Sequence, residues 1–164
     1  EAKSMKNRFL KAIGGLALVI SLVAIFAPIW ASGQGGGGRL EGTWDVRVTL
    51  RNCQTGAEMR SFDSLTTFTF GGITLDSTSG IPQALKTPGH GVWSHVSGNT
   101  YRFSFKSFSF DTAGNFTGST KITHEAVLDS IGAEYTSAGT AEGYAPNGNL
   151  IFTGCSTTTA TRFE

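Results

Sequence analysis

Residues 39–164 predict an all-β domain, an eight-stranded antiparallel up-and-down β-barrel, from three observations. Beyond Gly38 no segment carries the apolar period of an amphipathic helix, whereas Thr, Ser, Phe and Val recur in alternating runs. Short turns rich in Gly, Asn and Asp separate most neighbouring runs, which makes consecutive strands antiparallel partners. The chain's two cysteines, Cys53 and Cys155, fall in the first and last runs, and a bond between them would set those strands side by side. Eight such strands can also lie open or fold as a sandwich; only barrel closure makes the first and last neighbours.

The residues before the domain differ in composition. From Met5, Lys6, Arg8 and Lys11 supply a positive flank, and Ala12 to Ile29 carries no charge. Residues 1–33 therefore read as a signal peptide with small residues at Ala31 and Gly33 for cleavage, Glu1 to Ser4 being tag-like residues ahead of it. The apolar run is near the roughly 20 residues a membrane span needs, so left uncleaved it would be the chain's membrane contact. Either way the domain is expected outside the cytoplasm, secreted or periplasmic, where a disulfide is the default state of two cysteines. Residues 34–38 read as a glycine-rich spacer. From residue 34 onward, nine Lys and Arg face eleven Asp and Glu, a net charge of −2. The basic balance of the whole chain thus belongs to the leader, and nucleic acid is not an expected partner.

The first strand, near 42–53, places apolar Trp44, Val46, Val48 and Leu50 on one face and Asp45, Arg47, Thr49 and Arg51 on the other. The even face should point inward and Cys53 outward. Gly71 and Gly72 separate the second strand, 61–70, from the third, 72–78; alternation puts Phe68 and Phe70 on one face. The segment 77–89 holds two prolines and is too long for a tight hairpin, so it reads as a lid or rim loop. Trp93 lies on the fourth strand, 90–97. On the fifth, 100–110, Tyr101, Phe103 and Phe105 share a face, and the change of parity at Phe108 and Phe110 predicts a bulge near Lys106 and Ser107. The remaining strands are expected near 115–128, 133–145 and 149–163, with turns at 111–115 and 146–149.

One register serves both ends of the barrel. Pairing Trp44 opposite Arg162 and pairing Cys53 opposite Cys155 differ by only two residues, so a single antiparallel ladder brings both pairs close. The elements Gly42-Thr43-Trp44 and Arg162 resemble the Gly-x-Trp of the first strand and the late arginine of lipocalins and related calycin barrels. No counterpart of the lipocalin Thr-Asp-Tyr motif is present near the sixth and seventh strands, so the chain looks like a divergent, bacterial calycin-like relative. The resemblance implies that Arg162 packs over Trp44 at the closed end, a structural role in barrel closure.

Candidate ligand-binding residues are the inward aromatics Phe68, Phe70, Trp93, Tyr101, Phe103 and Phe105, which either fill a small barrel or line a pocket in it. His90 joins them because flanking glycines permit close backbone approach. His90 and His95 have opposite parity, so one strand cannot aim both at a metal ion. Hydrogen-bonded or solvated side chains are the simpler reading of these two and of His124. No metal, cofactor or catalytic residue is assigned, since no nucleophile elbow, zinc-binding helix or phosphate loop occurs. Glu125, Glu134 and Glu142 read as surface residues. The expected function is binding of a small, mostly apolar molecule. The alternatives are an isomerase or cyclase resembling allene-oxide-cyclase barrels, and a filled barrel that recognises proteins through its rim.

Overall fold

The computed structural model describes residues 40–163. Eight strands follow in order: β1 (Gly42–Arg51), β2 (Glu58–Thr69), β3 (Ile73–Thr78), β4 (Gly89–Ser97), β5 (Thr100–Phe110), β6 (Phe116–Leu128), β7 (Glu134–Tyr144) and β8 (Leu150–Arg162). The signal-peptide and spacer expectations, residues 1–38, lie outside the described residues. Each strand pairs antiparallel with its sequence neighbours and β8 pairs with β1, giving a closed up-and-down barrel. Among the described residues no helix is long and apolar enough to cross a membrane.

Closure follows the register read from the sequence. Trp44 pairs with Arg162 and Arg51 with Cys155, without a shift between them. Cys53, just beyond β1, joins Cys155 in a disulfide with Cα atoms 5.2 Å apart. On β1 the even residues face the interior: Trp44 and Val46 are buried, whereas Asp45 and Arg47 are exposed. On β8 Ser156, Thr158 and Ala160 are buried. Cys155 has the opposite parity, so the cross-link sits on the outer side.

One end of the barrel is packed solid. Trp44, Leu40, Phe68, Tyr135 and Leu128 are nearly inaccessible there. Trp44 meets Tyr135 edge-on at 4.9 Å between ring centroids, and Phe68 meets Phe103 at 5.3 Å. Burying each such side chain contributes about 1.5–3 kcal/mol, so this plug is the main apolar store of the fold. Arg162 lies with its guanidinium carbon 4.3 Å from the Trp44 ring centroid. Its Nη1 donates to Glu41 O at 2.7 Å and its Nε to Gly132 O at 2.9 Å, so a single side chain ties three segments together. Gly42 is needed beside it: its φ is +127°, and a Cβ there would stand 2.6 Å from Arg162 Nη1.

The expected bulge near Lys106 and Ser107 is corrected by the pairing. β5 runs beside β6 without interruption from Thr100 to Ser109, and the register shifts only at Phe110. Phe108 therefore faces outward, 49% exposed, and packs edge-on against Phe116 at 5.9 Å. Phe110 also contacts Phe116, at 6.1 Å. The change of aromatic parity marks an outer-face aromatic cluster, and the backbone carries no extra residue at Lys106 or Ser107.

Candidate functional site

Beside the plug the barrel holds a partly open cavity of about 250 Å³. Its apolar wall comes from the inward faces of several strands: Val46 and Val48 on β1, Phe62 on β2, Phe103 and Phe105 on β5, and Ile122 on β6. The two-proline segment contributes Gly80, Ile81 and Lys86 to the lining, in keeping with a rim loop. A short 3₁₀ turn, Gln83–Leu85, shapes that loop. Arg60 at the start of β2 donates from Nη2 to Gly80 O at 2.9 Å and so fastens the loop to the barrel.

Polar groups interrupt this wall in two places. The first is built by β2 and β3, where Ser64 Oγ donates to Asp76 Oδ2 at 2.6 Å and Thr66 Oγ1 donates to the same oxygen at 3.0 Å. Asp76 is 6% exposed, and burial raises its pKa above the ordinary carboxylate value; the two hydroxyls and the Lys86 charge only partly offset that. Tyr135 stands nearby on β7, its phenol pKa raised by burial first and by the Asp76 charge second. Lys86 is 8% exposed, and burial lowers its pKa while Asp76 acts in the opposite direction.

The second polar group spans β6, β7 and β8. His124 Nδ1 shares a hydrogen bond with Ser137 Oγ at 2.7 Å and Nε2 one with Ser156 Oγ at 2.9 Å. Ser137 Oγ also contacts Thr158 Oγ1 at 2.6 Å. The ring lies against Phe103, centroids 5.5 Å apart, and burial pushes its pKa down to about 4. At neutral pH His124 is an uncharged imidazole with both nitrogens occupied, a wall group able to rearrange its partners.

The sequence-derived candidates divide between three locations. Phe103 and Phe105 line the cavity. Phe68, Trp93 and Tyr101 belong to the packed region: Trp93 lies 6.0 Å from Phe68 and 5.8 Å from Tyr101, and its indole N–H is taken up by Thr69 O at 3.0 Å. Phe70 and His90 are corrected. β2 ends at Thr69, ahead of a turn in which Gly71 and Gly72 have positive φ, so Phe70 escapes the strand alternation and is 88% exposed. On β4 the inward positions are Gly89, Gly91 and Trp93, and the Phe105 ring and backbone occupy the space beside both glycines. His90 consequently points to solvent.

Asp76, Lys86, His124 and Tyr135 were not candidates from the sequence, although a signal existed for two of them. With Gly71-Gly72 as the turn, Phe68 pairs with Thr74 and Thr66 with Asp76, so an inward Phe68 carries Thr74 and Asp76 inward too. Likewise Phe103 pairs with His124 across β5 and β6. Among the described residues no cluster of His, Cys, Asp and Glu suits a metal ion. No protein-family model matches the chain, and no match to a curated protein or a solved structure was found.

Proposed function

We propose that this chain is an exported, calycin-like barrel that holds one small, mostly apolar molecule in its interior. The observation that carries the reading is the barrel's cavity of about 250 Å³, with an apolar wall broken by a few buried polar groups. Ligand sites have that composition: the apolar area supplies affinity and a few hydrogen-bonding groups set orientation. The volume lies just under the roughly 300–1,000 Å³ of sites for drug-sized ligands, so a compact occupant is favoured over a long acyl chain. The cation over Trp44 and the Gly-x-Trp geometry support the calycin resemblance, and the disulfide supports export. An isomerase or cyclase is the second reading, favoured by the buried Asp76 that faces the cavity.

The test is native mass spectrometry of the purified protein, followed by solvent extraction and identification of any retained molecule. Ala141, a small buried lining residue on β7, provides the control. Ala141→Trp should fill the open part of the cavity and abolish retention while the barrel still folds. Equal retention by this variant would place the ligand elsewhere and defeat the proposal.

A further inference from the structure

We infer that Lys86 is a carbonyl-capturing amine, which forms an imine with a small aldehyde whose apolar body enters the barrel. The inference rests on the reading that the cavity admits such a molecule. Among the described lysines Lys86 is the buried one, at 8% exposure, and it lines the cavity. Lys106 is exposed on β5, and Lys121 is half-exposed beside Glu142 at 3.8 Å. Lys86 Nζ makes one long contact, 3.4 Å, to Thr87 O, and no ion pair joins it to a carboxylate among the described residues. Burial limits its solvation and the Asp76 charge reaches it only across the cavity, without a direct ion pair, which leaves its nitrogen available to a reactant.

The backbone that carries Lys86 is held in place. Thr87 N donates to Phe108 O at 3.0 Å, and Phe108 N donates to Thr87 Oγ1 at 3.0 Å. Lys86 itself bridges to Ser109. The rim loop is thus stapled to β5 at Lys86 and at the residue that follows it, so the amine is presented from a fixed base. Burial favours its neutral form, the form with a lone pair to give, as in lysines desolvated within apolar pockets.

Asp76 lines the same cavity and supplies the proton the reaction needs. Ser64 and Thr66 both donate to Oδ2, so neither occupies Oδ1. The Lys86 lone pair attacks the aldehyde carbon, and the proton it loses passes to the former carbonyl oxygen. The Asp76 carboxyl protonates the resulting hydroxyl, water leaves, and a C=N bond replaces C=O. The protonated imine then faces the Asp76 carboxylate. Amine and aldehyde give imine and one water, with no oxidant or reductant.

The experiment treats the full disulfide-bonded chain with cinnamaldehyde, reduces with cyanoborohydride and maps the adduct, and in parallel measures binding of cinnamyl alcohol by calorimetry. Because Lys86 is buried in the cavity wall, where desolvation favours the neutral amine, it should be the predominant site of labelling, ahead of the exposed Lys106 and Lys121. Lys86→Gln, with its fold checked by circular dichroism, should lose the selective adduct. If that variant fails to fold, the site map of the unaltered chain decides alone. Alcohol binding with labelling spread evenly over the lysines overturns the inference and leaves the binding function standing. Neither alcohol binding nor a Lys86 adduct overturns both.

Discussion

Acidification should weaken the barrel through His124, by an amount that follows from its burial. The ring is 3% exposed, and its pKa falls from an ordinary 6.5 to about 4. In the unfolded chain the imidazole takes a proton near its ordinary value, whereas in the fold it resists until the lower one. Between those values the unfolded state binds more protons, so the stability present above pH 6.5 is lost as pH falls toward 4. One pKa unit corresponds to about 1.4 kcal/mol, which makes the loss about 2 kcal/mol at pH 5 and about 3 kcal/mol near pH 4. Against a typical total of roughly 5–15 kcal/mol, that is a large fraction. Asp76 has the opposite sign: its raised pKa gives stability that is complete below its ordinary value of 3.8 and declines as pH rises through the shifted one. Comparing the natural chain with His124→Gln cancels Asp76, because both proteins keep it. The assay is urea unfolding of both at pH 7 and pH 5, with stabilities obtained by linear extrapolation. The natural chain should lose about 2 kcal/mol more than the variant over that interval. Parallel losses would refute the burial argument.

Three further outcomes follow from the packing. Replacing both Cys53 and Cys155 by Ser removes a cross-link spanning 102 residues of sequence, and the loop-entropy relation gives a loss of about 4–5 kcal/mol, measurable as a lower urea midpoint. Thr74 Oγ1 is buried without a hydrogen-bond partner; Thr74→Val should raise stability by about 1 kcal/mol, seen as a higher melting temperature. Phe70→Ser and His90→Ala touch exposed side chains outside the cavity, so retention of the extracted ligand should be unchanged and stability should move by less than about 0.5 kcal/mol.

Much of the barrel could be read from pattern and turn chemistry. The alternation from Trp44 to Leu50, the Gly71-Gly72 turn and the shared register of Trp44/Arg162 with the cysteines were all visible in the residue order. The interior was harder, because alternation reports that two faces differ without saying which one is buried. On β3 the usual inference inverts: Ile73 and Leu75 face outward at 47% and 37% exposure, while Thr74, Asp76 and Thr78 are buried. Pairing with β2 determines this, since the strand must match the parity of Phe68 whatever its own hydrophobicity. Phe70 and His90 illustrate local limits of the same rule, one just past a strand end and the other between glycines that leave room for Phe105.

By itself the sequence determined the strand order, the antiparallel connectivity and the residues that close the barrel, because these depend on spacing along the chain and on turns of a few residues. Tertiary structure alone decided what the barrel contains. Asp76 and His124 come from β3 and β6, and Lys86 from a loop; they share one cavity only because the sheet curves round and closes. Their perturbed protonation depends on the same closure, since desolvation is a property of everything packed around a group and cannot be read from its neighbours in sequence.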